Sequence, residues 1–173
     1  MEFELKYIRN ITKKGQYSKG KIAVLEYNEI KSNTGGYIEF ADEIDRIVKD
    51  IPYEIAGLCL DTGHLYYSGM DPAEWLKKYA DRLDYVHFKD VNDKIYHEIL
   101  NEKIRFFEGC GKGSMCPIGK GSLDYPGIKN ALNEIGYNGY ITIEQERDLR
   151  NSDTSLRDVK ESVTYLKSVG YEI

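Results

Sequence analysis

No stretch of this chain approaches the roughly 18 apolar residues that a membrane helix needs, so no spanning segment is expected. Lysines and arginines are scattered rather than gathered in a stripe, and the net charge is −5. Nucleic acid is therefore not an expected partner. The three cysteines, Cys59, Cys110 and Cys116, make no CxxC pair. Cys59 reads as a small core residue. Cys110 and Cys116 are not expected to form a disulfide or a zinc half-site, and an odd set of free thiols fits a reducing cytoplasm. The N-terminus alternates charged and apolar residues, unlike a signal peptide. Length is short as well. The 173 residues suit one domain, residues 1–173, but a full eight-stranded (β/α) barrel takes about 250.

What the chain does have is four strand-like runs, each ending on a residue type that binds metals. They are Ile22-Ala23-Val24-Leu25-Glu26, Ala56-Gly57-Leu58-Cys59-Leu60-Asp61, Asp84-Tyr85-Val86-His87 and Tyr140-Ile141-Thr142-Ile143-Glu144. Between them lie helical patterns. Phe40, Ile44, Ile47, Val48 and Ile51 predict a helix over 41–49 that stops at Pro52. Asp71-Pro72 predicts a capped helix carrying Trp75, Leu76 and Tyr79 on its inner face. The long connection from Lys89 to Leu123 divides into a helix over 94–103 and a glycine-rich loop over 109–121. Asp124 to Ile135 predicts another helix, stopped by Gly136. Ser155 and Asp158 resemble a capping box opening a last helix lined by Leu156, Val159, Val163 and Leu166.

Regular strand–helix alternation argues for a parallel sheet with right-handed crossovers. The expected fold is a partial (β/α) TIM barrel, with a flavodoxin-like open sheet as the alternative. In a barrel, functional side chains stand at the C-terminal strand ends. Taken singly, Glu26 could be an exposed carboxylate, Asp61 a turn cap and His87 a core histidine. Together, at successive strand ends, Glu26, Asp61, His87 and Glu144 suit one divalent cation, Mn²⁺, Co²⁺ or Mg²⁺, with zinc less favoured. His64 follows Asp61 on the same tight turn. Two glycine-rich stretches are decoys. Residues 113–121 have one residue too many for a phosphate loop and no Ser or Thr after Lys120, and residues 109–113 follow no strand.

The segments Gly57-Leu58-Cys59-Leu60-Asp61-Thr62-Gly63-His64, Val86-His87-Phe88-Lys89-Asp90-Val91, Pro117-Ile118-Gly119-Lys120-Gly121-Ser122-Leu123-Asp124-Tyr125 and Gly136-Tyr137-Asn138-Gly139-Tyr140 through Ile143-Glu144-Gln145-Glu146 carry a resemblance. The chain resembles the sugar phosphate isomerase/epimerase superfamily of xylose-isomerase-like barrels, and within it the inosose dehydratases. The resemblance implies the last four strand–helix units of such a barrel. It implies Asp61, His87, Glu144 and Glu26 as metal ligands, and His64 and Lys89 as contacts to a small polyol or sugar substrate. Proton transfer would fall to Glu26 or Glu144. The implied reaction begins with proton abstraction next to a carbonyl, giving a lyase or an isomerase. Leu25-Glu26-Tyr27-Asn28 is nearer the ketose epimerases, and no histidine stands in residues 31–39. An inactive fragment, or a subunit that needs a second copy or an N-terminal half-barrel as partner, is the reading from another class. A repair endonuclease on this fold is disfavoured by the three histidines and the acidic balance.

Overall fold

The computed structural model describes residues 29–31, 34, 36–147 and 149–173. The predicted strand over 21–26, and with it Glu26, lies outside the described residues.

Four parallel strands form one sheet in the order β1-β2-β3-β6: β1 (Glu29–Lys31), β2 (Gly57–Asp61), β3 (Leu83–Phe88) and β6 (Tyr140–Ile143). Strand β1 falls in a stretch to which the sequence pattern assigned no element, and it pairs with β2 through Lys31 opposite Cys59. Every residue of β2 is buried, as its unbroken apolarity predicts for a parallel strand covered on both faces. Helices α1 (Ala41–Asp50), α2 (Thr62–Tyr67), α3 (Pro72–Lys78), α4 (Asp93–Glu102), α5 (Phe106–Lys112), α6 (Tyr125–Glu134) and α7 (Ser155–Ser168) fill the connections. A two-stranded antiparallel ribbon, β4 (Asp90–Val91) with β5 (Met115–Cys116), sits beside the main sheet. No helix is long and apolar enough to cross a membrane among the described residues.

Local chemistry sets the helix ends. Asp71 accepts the Glu74 N–H at 3.1 Å and Asp124 the Gly127 N–H at 3.0 Å, each ahead of a proline in the first turn. Asn92 caps α4 through the Ile95 N–H at 3.2 Å. The Arg82 guanidinium closes the other end of α1. It donates to the carbonyls of Val48 at 2.9 Å and Ile51 at 2.8 Å, and to Ala56 at 3.1 Å, so the last turn of α1 is tied to the start of β2. Leu58, Leu60, Val86 and Phe88 from the strands then pack with Ile44, Leu76, Tyr125, Ile128 and Leu166 from the helices in one core.

Three expectations are corrected. The stretch read as a glycine-rich loop over 109–121 contains part of α5 and all of β5. Of its glycines, Gly109 lies inside α5 and packs on α4, where a Cβ would stand 2.4 Å from Ile99 Cδ1 and oblige that side chain to shift. Gly113 ends α5 at φ 92°. Ser155 does not cap the last helix. The cap position is Thr154, and Asp158 is held instead by Arg147 at 2.7 Å and Arg157 at 2.9 Å. Leu156 is 67% exposed rather than part of the inner face, which Leu166 and Ser162 occupy. On β6, Ile141 is 37% exposed, because β6 is an outer strand of the four.

Candidate active site

The register of the parallel strands brings three predicted ligands to one end of the sheet. Asp61 of β2 is paired with His87 of β3, and His87 with Thr142 of β6. Glu144 follows directly, its N–H donating to the Phe88 carbonyl at 3.0 Å. The ligand atoms of Asp61, His87 and Glu144 lie within 4.8 Å of one another. His87 Nδ1 is 2.6 Å from Glu144 Oε2 and 3.8 Å from Asp61 Oδ2.

Asp61 divides its oxygens. Oδ1 caps α2, accepting the N–H groups of Gly63 and His64 at 3.1 Å each. The turn-cap reading and the ligand reading of this residue therefore both hold in geometry. Oδ2 is buried and accepts no hydrogen bond, and it faces His87 and Glu144. A buried carboxylate oxygen is costly without a cation near it, and the nearest here are the ammoniums of Lys89 at 3.3 Å and Lys31 at 3.6 Å.

Two lysines approach the same group. Lys31 Nζ lies 3.0 Å from Glu144 Oε2 and 3.6 Å from Asp61 Oδ2. Lys89, whose side chain is 1% exposed, places Nζ 3.3 Å from both Asp61 Oδ2 and Glu144 Oε1. The same ammonium is 2.9 Å from Glu146 Oε2 and 2.8 Å from His64 Nε2. Burial works against the Lys89 charge, yet the carboxylates of Asp61, Glu144 and Glu146 raise its pKa above the ordinary lysine value. Burial likewise opposes the Glu144 charge. The hydrogen bond with His87 and the Lys89 and Lys31 ammoniums outweigh it and hold the carboxyl well below the usual range. The His64 pKa is shifted down, chiefly by burial, against the pull of Asp61 and Glu146.

The backbone around Lys89 is fixed. Its carbonyl accepts from Tyr125 Oη at 2.8 Å and Thr62 Oγ1 at 3.1 Å, and its N–H meets Thr62 Oγ1 at 3.1 Å. A Cβ at Gly63 would stand 2.5 Å from Lys89 Cβ, which is why glycine separates Thr62 from His64. The next residue, Asp90, turns the other way. Its buried carboxylate accepts the N–H groups of Val91, Gly119, Gly121 and Leu123 at 2.8–3.1 Å. Two of those donors, Gly119 and Gly121, belong to the stretch 113–121 and are taken up by Asp90 rather than facing an anion site.

The structure thus gathers Asp61, His64, His87, Lys89 and Glu144. It adds Lys31 and Glu146, to which the sequence pattern assigned no role. Glu146 stands two residues beyond Glu144, the same parity, and that was the one available signal. Two carboxylates and an imidazole converging within 4.8 Å fit a divalent cation held with open positions. Those three residues would hold it.

The family profile of the xylose isomerase-like TIM barrel matches residues 18–169. An inosose dehydratase of Clostridium botulinum (strain Eklund 17B) is 36% identical over 138 residues, covering 80% of this chain and 45% of that protein. One from Geobacillus kaustophilus is 38% identical over 116 residues, covering 67% and 38%. The chain thus spans about half, or less, of these relatives. Among solved structures, the IOLI protein with a bound zinc atom superposes with a TM-score of 0.56 at 20% identity, over 76% of this chain and 44% of that one. The D-psicose 3-epimerase of Clostridium cellulolyticum H10 gives 0.56 at 18% identity, over 82% and 48%.

Proposed function

This chain belongs to the xylose isomerase-like TIM barrel family, and from that premise we propose that it is the site-bearing part of a metal-dependent lyase acting on an inosose or related sugar. The single observation that carries the reading is the convergence of Asp61, His87 and Glu144, whose ligand atoms lie within 4.8 Å of one another at the strand ends. The inosose dehydratase relatives support the substrate class.

Bound by Asp61, His87 and Glu144, Mn²⁺ or Co²⁺ would supply Lewis-acid polarisation of a carbonyl oxygen. The residues do the rest. Glu144, kept ionised by its neighbours, takes the proton from the carbon next to the carbonyl. His64 and the Lys89 ammonium, both buried and 2.8 Å apart, orient the substrate hydroxyls. Loss of a β-hydroxyl completes dehydration. We propose also that the sheet associates with a second copy of the chain or with a complementary half-barrel, since a barrel interior is filled from eight strands.

The test is reaction of an inosose in D₂O with the metal-loaded protein. Deuterium at the α-carbon together with a dehydrated product supports the lyase. The second reading, a ketose epimerase, draws on the structural likeness to such enzymes and expects exchange and epimer without loss of water. Absence of exchange with inososes and ketoses alike would remove both.

A further inference from the structure

Glu146 takes no part in the Asp61–His87–Glu144 group, yet it reaches the same lysine that the group does. Its Oε2 lies 2.9 Å from Lys89 Nζ and 3.7 Å from His64 Nε2. His64 in turn is fixed on its far side, Nδ1 facing the Thr34 N–H at 3.2 Å, and its ring stands 5.7 Å from that of Phe106. The Lys89 side chain therefore has one place to be. Its ammonium bridges two groups, the metal-type carboxylates on one side and Glu146 on the other.

We infer that Glu146 is a positioning residue that divides the labour of the site. It holds Lys89 over the departing oxygen, while Glu144 serves the α-carbon. This rests on the lyase reading. In that reaction the α-C–H bond breaks and its proton goes to the carboxylate. The electron pair forms the carbon–carbon double bond, and the β-C–O bond breaks. Its electrons leave with the oxygen, which takes a proton from the Lys89 ammonium and departs as water. Solvent then restores the Lys89 proton and removes the one on the carboxylate, so the net change is loss of one water.

A base at the first carbon and a donor at the second predict separable steps. Glu146→Gln removes the charge that fixes Lys89 but leaves Asp61, His87 and Glu144 in place. The variant is expected to retain α-deuterium exchange from an inosose within about two-fold, and to keep the Mn²⁺-induced rise in melting temperature. Its dehydrated product should fall about 100-fold, the scale of one positioned acid. Glu146→Asp should recover part of that loss. A second measurement needs no substrate. The side-chain ¹⁵N resonance of the Lys89 ammonium, sharp in the wild type, should broaden in Glu146→Gln. Wild-type exchange with both steps lost in parallel in Glu146→Gln, or with neither affected, overturns the positioning role alone, as does an unchanged ammonium resonance. No exchange by the wild type overturns the lyase reading and takes this inference with it.

Discussion

Asp61 Oδ1 accepts the His64 N–H at 3.1 Å, so the residue that opens helix α2 is also the one whose second oxygen faces His87. Structure and chemistry are thereby joined in one carboxylate, and two substitutions separate them. Asp61→Asn keeps an acceptor for the Gly63 and His64 N–H groups and lacks the charge. Asp61→Ala lacks both, and a lost cap costs about 1 kcal/mol. Without metal, Asp61→Asn should melt closer to wild type than Asp61→Ala does. Neither should respond to Mn²⁺. Thermal melts with and without the metal check both statements.

The wild-type response has a calculable size. A ligand bound only by the folded state stabilises it by about 2.7 kcal/mol at a free concentration 100 times its dissociation constant. Mn²⁺ or Co²⁺ should accordingly raise the melting temperature. His87→Ala, which removes the one imidazole of the Asp61–His87–Glu144 group, should abolish the rise. Equal shifts in wild type and variant would place the metal elsewhere.

Glu144 makes metal-free stability depend on acid. Its folded-state pKa lies below the ordinary 4.5 even though burial pushes the other way, because His87, Lys89 and Lys31 favour the carboxylate. A depressed carboxyl pKa contributes stability that is complete above about 4.5 and is lost as pH falls through the lower folded value. Metal-free melting temperature should therefore drop on acidification below that point, and Glu144→Gln should show a shallower drop. A slope unchanged by the substitution would assign the acid sensitivity to other groups.

How much of this was legible in the chain follows from what each residue answers to. Asp61, His87 and Glu144 each terminate a strand, and period-2 alternation plus the end of apolarity marks them. Pro72, Asp71 and Asp124 announce helix starts by their own backbone chemistry. Glu146 was opaque because its partner, Lys89, is 57 residues away and meets it only across the sheet. Lys31 was opaque for the same reason, 113 residues from Glu144. Helix α5 was misread as loop because glycine signals flexibility in sequence. Gly109 instead lies inside α5, packed on Ile99 of the neighbouring helix. Leu156 fits a helical stripe, but the stripe that is buried runs through Ser162 and Leu166.

Asp90 offers a prediction about the loop that follows the ribbon. Its two oxygens accept four backbone N–H groups, two each. An asparagine presents one acceptor and one donor, so Asp90→Asn sets an NH₂ against two of those N–H groups. Buried donors left without partners cost about 1–3 kcal/mol apiece. Asp90→Asn should destabilise the fold by about 3 kcal/mol despite removing a buried charge, and denaturant melts can read it. Gly121→Ala should act similarly, because its Cβ would stand 2.2 Å from Asp90 Oδ1.

Assembly can be tested directly. The sheet of described residues has four parallel strands, and outer strand β6 leaves Tyr140 and Ile141 part-exposed. Its inner side carries Tyr85, hydrogen-bonded to Thr142, beside His87 and Glu144, all reached by solvent to some degree. A closed barrel buries such side chains in layers drawn from alternate strands, four to a layer, which four strands alone do not supply. Unpaired strand edges also invite pairing with another chain. At micromolar concentration the protein should therefore sediment as a dimer or larger, and arginine at Ile141 should shift it toward monomer. A monomer that melts cooperatively at that concentration would refute association. It would also mean that this sheet holds its site geometry without another chain, and the Mn²⁺ melts would then report on the monomer.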